Sequence, residues 1–460
     1  MNYSEAREYL KNVNKLGSIL GLNTIKELLK RLGNPQNELK VVHIAGTNGK
    51  GSIMTFVQNI LMESGYKVGR YCSPAVFNER EIIRINDEYI SEEQSADLLT
   101  RIKEKCDSMH SEGLPHPTSF EIETAEALMF FKEQNCDIAL IECGMGGETD
   151  ATNVFEKVLC SVIATISLDH TQFLGSTIEE ITKVKSGIIK ENCPVVMSKQ
   201  TGEAESVIKK VCKQKNSELI IPTEQDFENV EIDGLTTKVT YKASNNKEYI
   251  LNLQTLGTYQ IKNAKTAVEV ALVLDKALTE KTNICDESDK NNGTGMKNNI
   301  NNSGNAIEKN IKKGIEKTVW PGRMEVISKE PLIIIDGAHN PGAVLELRKT
   351  LDLYFTNKRI TFIMGVLSDK DFSKEAEIIA DRAERIITIT PNNSRGLDGH
   401  KLAETLVKYN HNVQVADSLK QAAEESIDTI KENRADMILA FGSLSYLGEL
   451  KQVVRLICNH

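Results

Sequence analysis

The sequence predicts an α/β fold in two lobes, each built on a mostly parallel sheet. Three observations carry that expectation. From about residue 40 onward, short apolar runs alternate with stretches of helical periodicity, the rhythm of strands joined by helical crossovers. A glycine-rich turn, Gly46–Ser52, stands directly between one such run and a helical pattern. A second, shorter series of the same alternation begins after a stretch dominated by Asn.

Taken in order, the N-terminal MNYSEAREYLKNV is amphipathic and polar, unlike a signal peptide. The runs Val41–Ala45, Ile138–Cys143, Val158–Ile166 and Pro194–Met197 are almost continuously apolar, as strands buried on both faces must be. Helical patterns at Ser52–Ser64 and Phe120–Lys132 lie between them. From Val230 to Leu256 the pattern shortens and alternates, notably at Lys238–Lys242 and Tyr249–Leu253, which predicts an antiparallel addition. A helix over about Ile261–Leu278 follows. Thr282 to about Asn310 holds too few large apolar side chains to offset the entropy of ordering, and reads as a mobile insertion. The second series, Leu332–Ile335, Ile360–Met364, Ile386–Ile389 and Met437–Phe441, predicts a smaller Rossmann-like lobe without the GxGxxG fingerprint. The expected division is 1–318 and 319–460, with the insertion at about 282–310 inside the first part.

The chain's 460 residues suffice for two or three cores. Its formal charge of −9 argues against a general nucleic-acid or membrane-surface binder. Nine cysteines without paired metal spacing suggest free thiols in a reducing cytoplasm. No apolar run is long enough to span a bilayer.

The chemistry starts at GTNGKGS. A strand that turns through glycines into a helix start gathers backbone N–H groups and a positive dipole end around an anion. Lys50 adds a mobile cation for the outer phosphates of a nucleotide. The match to the common P-loop is imperfect, because Ile44 stands where its first Gly would be and Gly51 separates Lys50 from Ser52. Glu142 ends its strand and precedes GMGG, a position suited to holding Mg²⁺ directly or through water. His170 follows another strand, and Asp169 could orient its ring or bind a metal water. Ser73 sits in a YCSP turn as a possible hydroxyl ligand. Lys185, in VKSGIIK, reads by default as a solvated charge. In the second lobe IIIDGAHNPGA puts Asp336 and His339 at a strand end before a helix start, and Arg323 in WPGR is a natural phosphate partner.

Together these segments resemble the folylpolyglutamate synthase / dihydrofolate synthase family of the Mur-ligase superfamily. The similarity runs through IAGTNGKGS, PTSFEIETAEALMFF, IECGMGG with DATNV, LDHTQFLGSTIEEITKVKSGIIK, LGTYQIKNAKTA, WPGRMEV, IIIDGAHNPGA, GVLSDKDF and FGSLSYLGEL, in the family's order. The resemblance implies a large P-loop-type ATPase domain and a smaller Rossmann-like C-terminal domain. It implies an ATP-dependent amide ligase that adds L-glutamate to a reduced folate or to dihydropteroate through an acyl phosphate, with two Mg²⁺ ions. Gly46, Thr47, Asn48, Gly49, Lys50, Gly51 and Ser52 would hold the ATP phosphates, and Ser73, Glu142 and His170 would ligate metal. Lys185 matches the lysine that the family carboxylates with CO₂, which overturns the solvated default. Gln260 and Asn263 would contact nucleotide, as would Arg323, Asp336 and His339 from across the cleft. Lys50, Lys185 and His339 would be catalytic, and Ser443 would lie near the incoming glutamate. A monomer is the default.

Four features depart from the common pattern. The chain reads SPAVF where SPHL is frequent, Glu148 replaces an Arg, Val184 replaces a Glu, and the Asn-rich insertion is atypical. Two rival readings stand beside the folate ligase. One is another Mur-type ligase with a non-folate acceptor. The other is a nucleotide-driven switch, which would have no use for DGAHN.

Overall fold

The structure is a computed structural model that describes residues 1–14, 21–223, 230–289 and 307–458, with backbone alone for 280–289. Strands form where the apolar runs predicted them. The first sheet contains β1 (Val41–Ala45), β2 (Val68–Tyr71), β3 (Ile83–Ile85), β4 (Glu88–Tyr89), β5 (Ile138–Glu142), β6 (Cys160–Ile163), β7 (Val195–Met197) and β8 (Leu219–Ile220). Their order is β4-β3-β2-β5-β1-β6-β7-β8. Six of them run parallel, and β3 and β4 add an antiparallel edge. The chain leaves β1 first toward β2 on one side and later builds β6 to β8 on the other. The crevice beyond the carboxyl ends of β1, β5 and β6 is therefore the place where such a sheet binds ligands.

Apolar packing holds both faces. Helix Lys50–Glu63 buries Ile53, Met54, Phe56, Val57, Ile60 and Leu61, so it is sandwiched rather than exposed on one side. It packs between the sheet and the helices Thr258–Asp289 and Ile307–Lys317. On the other face, helices Tyr3–Asn14, Asn23–Arg31, Glu92–Ser111 and Ser119–Glu133 cover β2 and β5. The expected antiparallel addition is a three-stranded sheet of β9 (Val230–Asp233), β10 (Thr236–Lys242) and β11 (Glu248–Leu253). Val239 and Tyr241 on β10 point inward.

The second lobe contains β12 (Glu325–Lys329), β13 (Leu332–Ile335), β14 (Ile360–Met364), β15 (Arg385–Thr388), β16 (Val413–Val415) and β17 (Met437–Phe441). The order is β12-β13-β17-β14-β15-β16, parallel except for β12. Apolar clusters lie on both of its faces. The division expected at 318/319 falls between helix Ile307–Lys317 and β12. Two expectations change. The helix expected at about Ile261–Leu278 spans Thr258–Asp289. The Asn-rich segment is helical at both edges, and its middle, 290–306, lies outside the described residues.

Candidate active site

The loop after β1 is pinned on one side. Thr47 N and Asn48 N both donate to the Thr165 carbonyl, at 2.8 and 3.0 Å, and Thr47 Oγ1 donates to Ser167 O at 3.1 Å. Gly49 caps helix Lys50–Glu63 at φ +91°, where an L side chain is strained, and a Cβ there would lie 2.6 Å from Asn263 Oδ1. Gly51 is needed for close approach, since a Cβ would lie 2.7 Å from the Trp320 ring. Lys50 Nζ folds back on Gly46 O (3.1 Å) and Thr47 O (3.3 Å) and lies 3.6 Å from Glu142 Oε1. A cation, a helix N-terminus and a buried carboxylate thus share one crevice.

The residues expected to ligate metal stand at or just beyond the ends of β2, β5 and β6, strands on either side of the phosphate-loop strand β1 within one sheet. Glu142 closes β5 and is buried, and its Oε2 accepts the Cys72 thiol at 2.6 Å. Cys72 follows β2 directly and precedes Ser73. His170 lies beyond β6 in the left-handed conformation, φ +50°. Desolvation lowers its pKa, and Lys370, Lys185 and Lys50 lower it further against the opposing effect of Asp169, so its imidazole is held neutral. Among the described residues no three His, Cys, Asp or Glu groups converge as a preassembled metal cluster. Asp169, expected to orient the His170 ring or bind a metal water, faces the second lobe. Its Oδ1 accepts Lys370 Nζ at 2.7 Å and its Oδ2 accepts Asn340 Nδ2 at 3.1 Å, both from the second lobe. Burial opposes its ionisation, but the Lys370 ammonium outweighs that and holds its pKa down at about 2.

Lys185 is buried, not solvated. Its Nζ donates to Gly46 O at 2.9 Å. Burial, reinforced by Lys50, pulls its pKa from 10.5 to about 7. The GMGG turn packs on its backbone: a Cβ on Gly147 would lie 2.6 Å from the Lys185 carbonyl, so only glycine lets the two segments meet.

The second lobe brings its DGAHN turn onto the same loop. Asn48 and Asn340 exchange two amide hydrogen bonds, each 3.1 Å, and Asn340 caps helix Pro341–Tyr354 through Ala343 N. Asp336 was expected to reach nucleotide. Its carboxylate is instead buried and accepts Tyr259 OH (2.5 Å), Met324 N (2.9 Å) and Ala338 N (2.8 Å), so it organises the turn. His339 Nδ1 bonds Gly337 O at 2.7 Å, which leaves Nε2 as the acceptor. Burial lowers the ring to about 4, so at neutral pH it is uncharged and acts through hydrogen bonding. Arg323 Nη1 donates to Gly322 O at 3.0 Å, and its guanidinium lies against Gly337.

Gln260 and Asn263 sit together at the start of helix Thr258–Asp289. Asn263 Nδ2 donates to Gln260 Oε1 at 3.0 Å, and the buried Gln260 Nε2 has no partner among the described residues. Ser443 lies two residues past β17, buried, and caps the next turn through Ser445 N at 3.2 Å.

Beside Ser73 a cavity of about 490 Å³ opens between the loops after β2 and β5. Phe120, Ile82 and Met145 supply apolar wall, while Glu123, Asp150 and Arg7 supply charge. Sequence reasoning missed Cys72, Asn340, Lys370 and this cavity; GVLSDKDF held Lys370, with no local sign of its partner.

The Mur ligase middle domain family matches residues 44–271, and the Mur ligase, glutamate ligase domain family matches 322–444. The chain is similar to the dihydrofolate synthase/folylpolyglutamate synthase of Bacillus subtilis, 30% identical over 464 residues, covering 98% of each chain. Its fold resembles the crystal structure of Thermotoga maritima folylpolyglutamate synthase, with TM-score 0.77 and 32% identity over 98% of this chain and 96% of that one. It also resembles a solved FPGS–AMPPCP–folate complex, with TM-score 0.80 and 28% identity over 99% and 100%. Likeness of this extent, end to end and in both lobes, places the chain in the folylpolyglutamate synthase/dihydrofolate synthase family of Mur ligases.

Proposed function

We propose that this chain is an ATP-dependent ligase that joins L-glutamate to a reduced folate, and to dihydropteroate as well. The observation that carries the reading is the seam at Asn48–Asn340, where the nucleotide loop of one lobe meets the DGAHN turn of the other. A nucleotide switch needs the first of these alone. A non-folate Mur ligase would use both, and the choice of acceptor separates it.

In this reading ATP lies along Gly46–Ser52, with its phosphates on the N-terminus of helix Lys50–Glu63. The acceptor enters the cavity beside Ser73, with its ring against Phe120 and its N–H edge toward Asp150 and Glu123. Its free carboxylate attacks the γ-phosphorus, ADP leaves, and an acyl phosphate forms. The amine of glutamate then attacks the activated carbonyl and phosphate departs. Lys50 stabilises the transferring charge. His339 offers a neutral Nε2 acceptor, which orients the amine rather than neutralising phosphate. Arg323 stands just before β12 and Ser443 just past β17, with β13 between those strands in the second lobe, suited to nucleotide and glutamate respectively. The unpartnered Gln260 Nε2 supports a nucleotide contact there.

Mg²⁺ fits the donors. Glu142 is a buried hard-oxygen ligand facing Lys50, with Ser73 after the adjacent strand β2 and His170 in the loop beyond β6, and an ion that keeps waters and phosphate oxygens needs no closed protein cage. Two such ions would neutralise the phosphates. Lys185, near 7, holds a substantial fraction of neutral amine, the form that attacks CO₂ with loss of a proton to give a carbamate. The anion so formed would lie beside Lys50 and serve the second ion.

Both lobes belong to one chain, which supports a monomeric enzyme. The described cysteines are all free thiols, and no described helix is long and apolar enough to cross a membrane. A cytoplasmic setting accords with the free thiols. Purified protein with ATP, Mg²⁺ and glutamate should release ADP only when tetrahydrofolate or dihydropteroate is added. Turnover with neither would remove the folate assignment.

A further inference from the structure

Among the described residues Glu375 is the buried acid with neither carboxyl oxygen partnered, and the chemistry above does not explain its position. It lies in the first turn of helix Phe372–Ile379, is fully shielded from solvent, and has no hydrogen-bond partner on either carboxyl oxygen among the described residues. Burial pushes its pKa up to about 8, while Lys370 acts on it in the opposite sense. An uncompensated acid in such a place is costly unless another arrangement of the protein satisfies it.

Lys370 supplies that arrangement. It precedes the Asp371 cap of the same helix, and its ammonium crosses the cleft to Asp169 at 2.7 Å, with both side chains 9% exposed. Asp169 in turn accepts Asn340 Nδ2, and Asn340 is locked to Asn48 of the phosphate loop. His170 N donates to the same Asp169 carboxylate at 2.9 Å. One ammonium therefore ties the second lobe to the loop that takes nucleotide and to a residue expected to ligate metal.

We propose that Lys370 is a two-position clasp: it pairs with Asp169 when the lobes are docked and with Glu375 when they part, so Glu375 sets how readily the cleft opens. The role of the clasp in turnover rests on the ligase reading, but its existence does not. Undocking takes Asp169 away. Of the acids that travel with Lys370, Asp369 pairs with Arg395 and Asp371 caps the helix through Lys374 N, which leaves Glu375, five residues along the same segment, as the one unpartnered among the described residues. The exchange keeps the ammonium paired in both states and so lowers the cost of parting. Both Lys370 and Glu375 are positioning residues, since neither touches the reacting atoms.

The test reads the docked fraction directly. Two dyes placed on exposed sites, one per lobe, would report lobe separation by energy transfer in the full chain, without substrate and with ATP–Mg²⁺. Glu375→Gln keeps the shape and removes the competing anion, so the docked fraction without substrate should rise at least threefold over wild type in docked-to-open ratio. Lys370→Met should lower that ratio at least tenfold, and Lys370→Arg should restore most of it. Glu375→Met serves as a second variant, and it should move the ratio in the same direction as Gln. The proposal is overturned if both Glu375 variants leave the ratio unchanged or open the lobes. It is equally overturned if Lys370→Met stays as docked as wild type while melting cooperatively. Absence of folate-dependent turnover would count against the ligase reading and leave this measurement standing.

Discussion

Replacing Lys185 by Met should make the protein more stable while abolishing its turnover. The reason is electrostatic. A free lysine titrates at 10.5, and burial holds this one at about 7. The folded state therefore resists a proton that the unfolded chain binds readily, and the resulting penalty is full below pH 7 and vanishes above pH 10.5. At pH 7 the linkage relation gives a cost of about 4 kcal/mol, and at pH 9 about 2 kcal/mol. Met fills nearly the same volume without the charge. The substitution forfeits the hydrogen bond to Gly46 O, worth about 1 kcal/mol, but Lys50 Nζ still donates to that carbonyl. The net gain is then about 2–3 kcal/mol at pH 7, or roughly 2–3 °C in Tm for a chain of this length. Calorimetry or denaturant melts of both proteins, in buffer stripped of CO₂ and across pH 7 to 9, give the comparison. The advantage of the variant should shrink as pH rises. Equal or lower stability of the Met variant at pH 7, or an advantage indifferent to pH, would refute the buried-amine argument. Bicarbonate should stabilise only the wild type, because only it has an amine to carboxylate.

Three further outcomes follow from the same geometry. Glu142→Gln should lower ligase turnover about 100-fold and raise the Mg²⁺ concentration needed for half-maximal rate, since it removes the buried carboxylate facing Lys50; an unchanged Mg²⁺ requirement contradicts it. His339→Ala should cost about 100-fold in kcat. Its ratio to wild type should stay flat between about pH 5.5 and 7.5, because a ring held at about 4 is already neutral there; an inflection near 6.5 would mean the ring works charged. Phe120→Ala should raise KM for the folate acceptor about tenfold through lost ring contact and leave KM for ATP alone; a rise in both would move the acceptor elsewhere.

Much of this fold was legible because parallel strands buried on both faces are written as unbroken apolar runs. Val41–Ala45, Leu332–Ile335, Ile360–Met364 and Met437–Phe441 match their strands end for end. The site's position was legible for a related reason, since Glu142 and Asp336 each follow such a run and therefore fall at a carboxyl edge. What stayed hidden was direction. Asp336 turns inward to backbone N–H groups, and Asp169 turns across the cleft to Lys370 rather than toward a metal. Asn48 and Asn340 are far apart in sequence, and nothing local in either turn signals the other. Lys185 was misleading on local pattern because its helix, Ile178–Lys185, is short and ends in two lysines. Its ammonium turns inward to Gly46 O of the phosphate loop, and the GMGG turn packs on its backbone at Gly147. The mobile insertion expected from Thr282 to about Asn310 was drawn too wide, since Thr258–Asp289 and Ile307–Lys317 are helical, and 290–306 lie outside the described residues.

The most direct test of the central claim follows an oxygen atom. An acceptor with both oxygens of the reacting carboxylate replaced by a heavy isotope is incubated with the enzyme, ATP, Mg²⁺ and glutamate, and the released phosphate is analysed by mass spectrometry. If the cleft between the two lobes activates that carboxylate by phosphorylation, each phosphate released with amide product carries one labelled oxygen. Amide product accompanied by unlabelled phosphate would contradict the account.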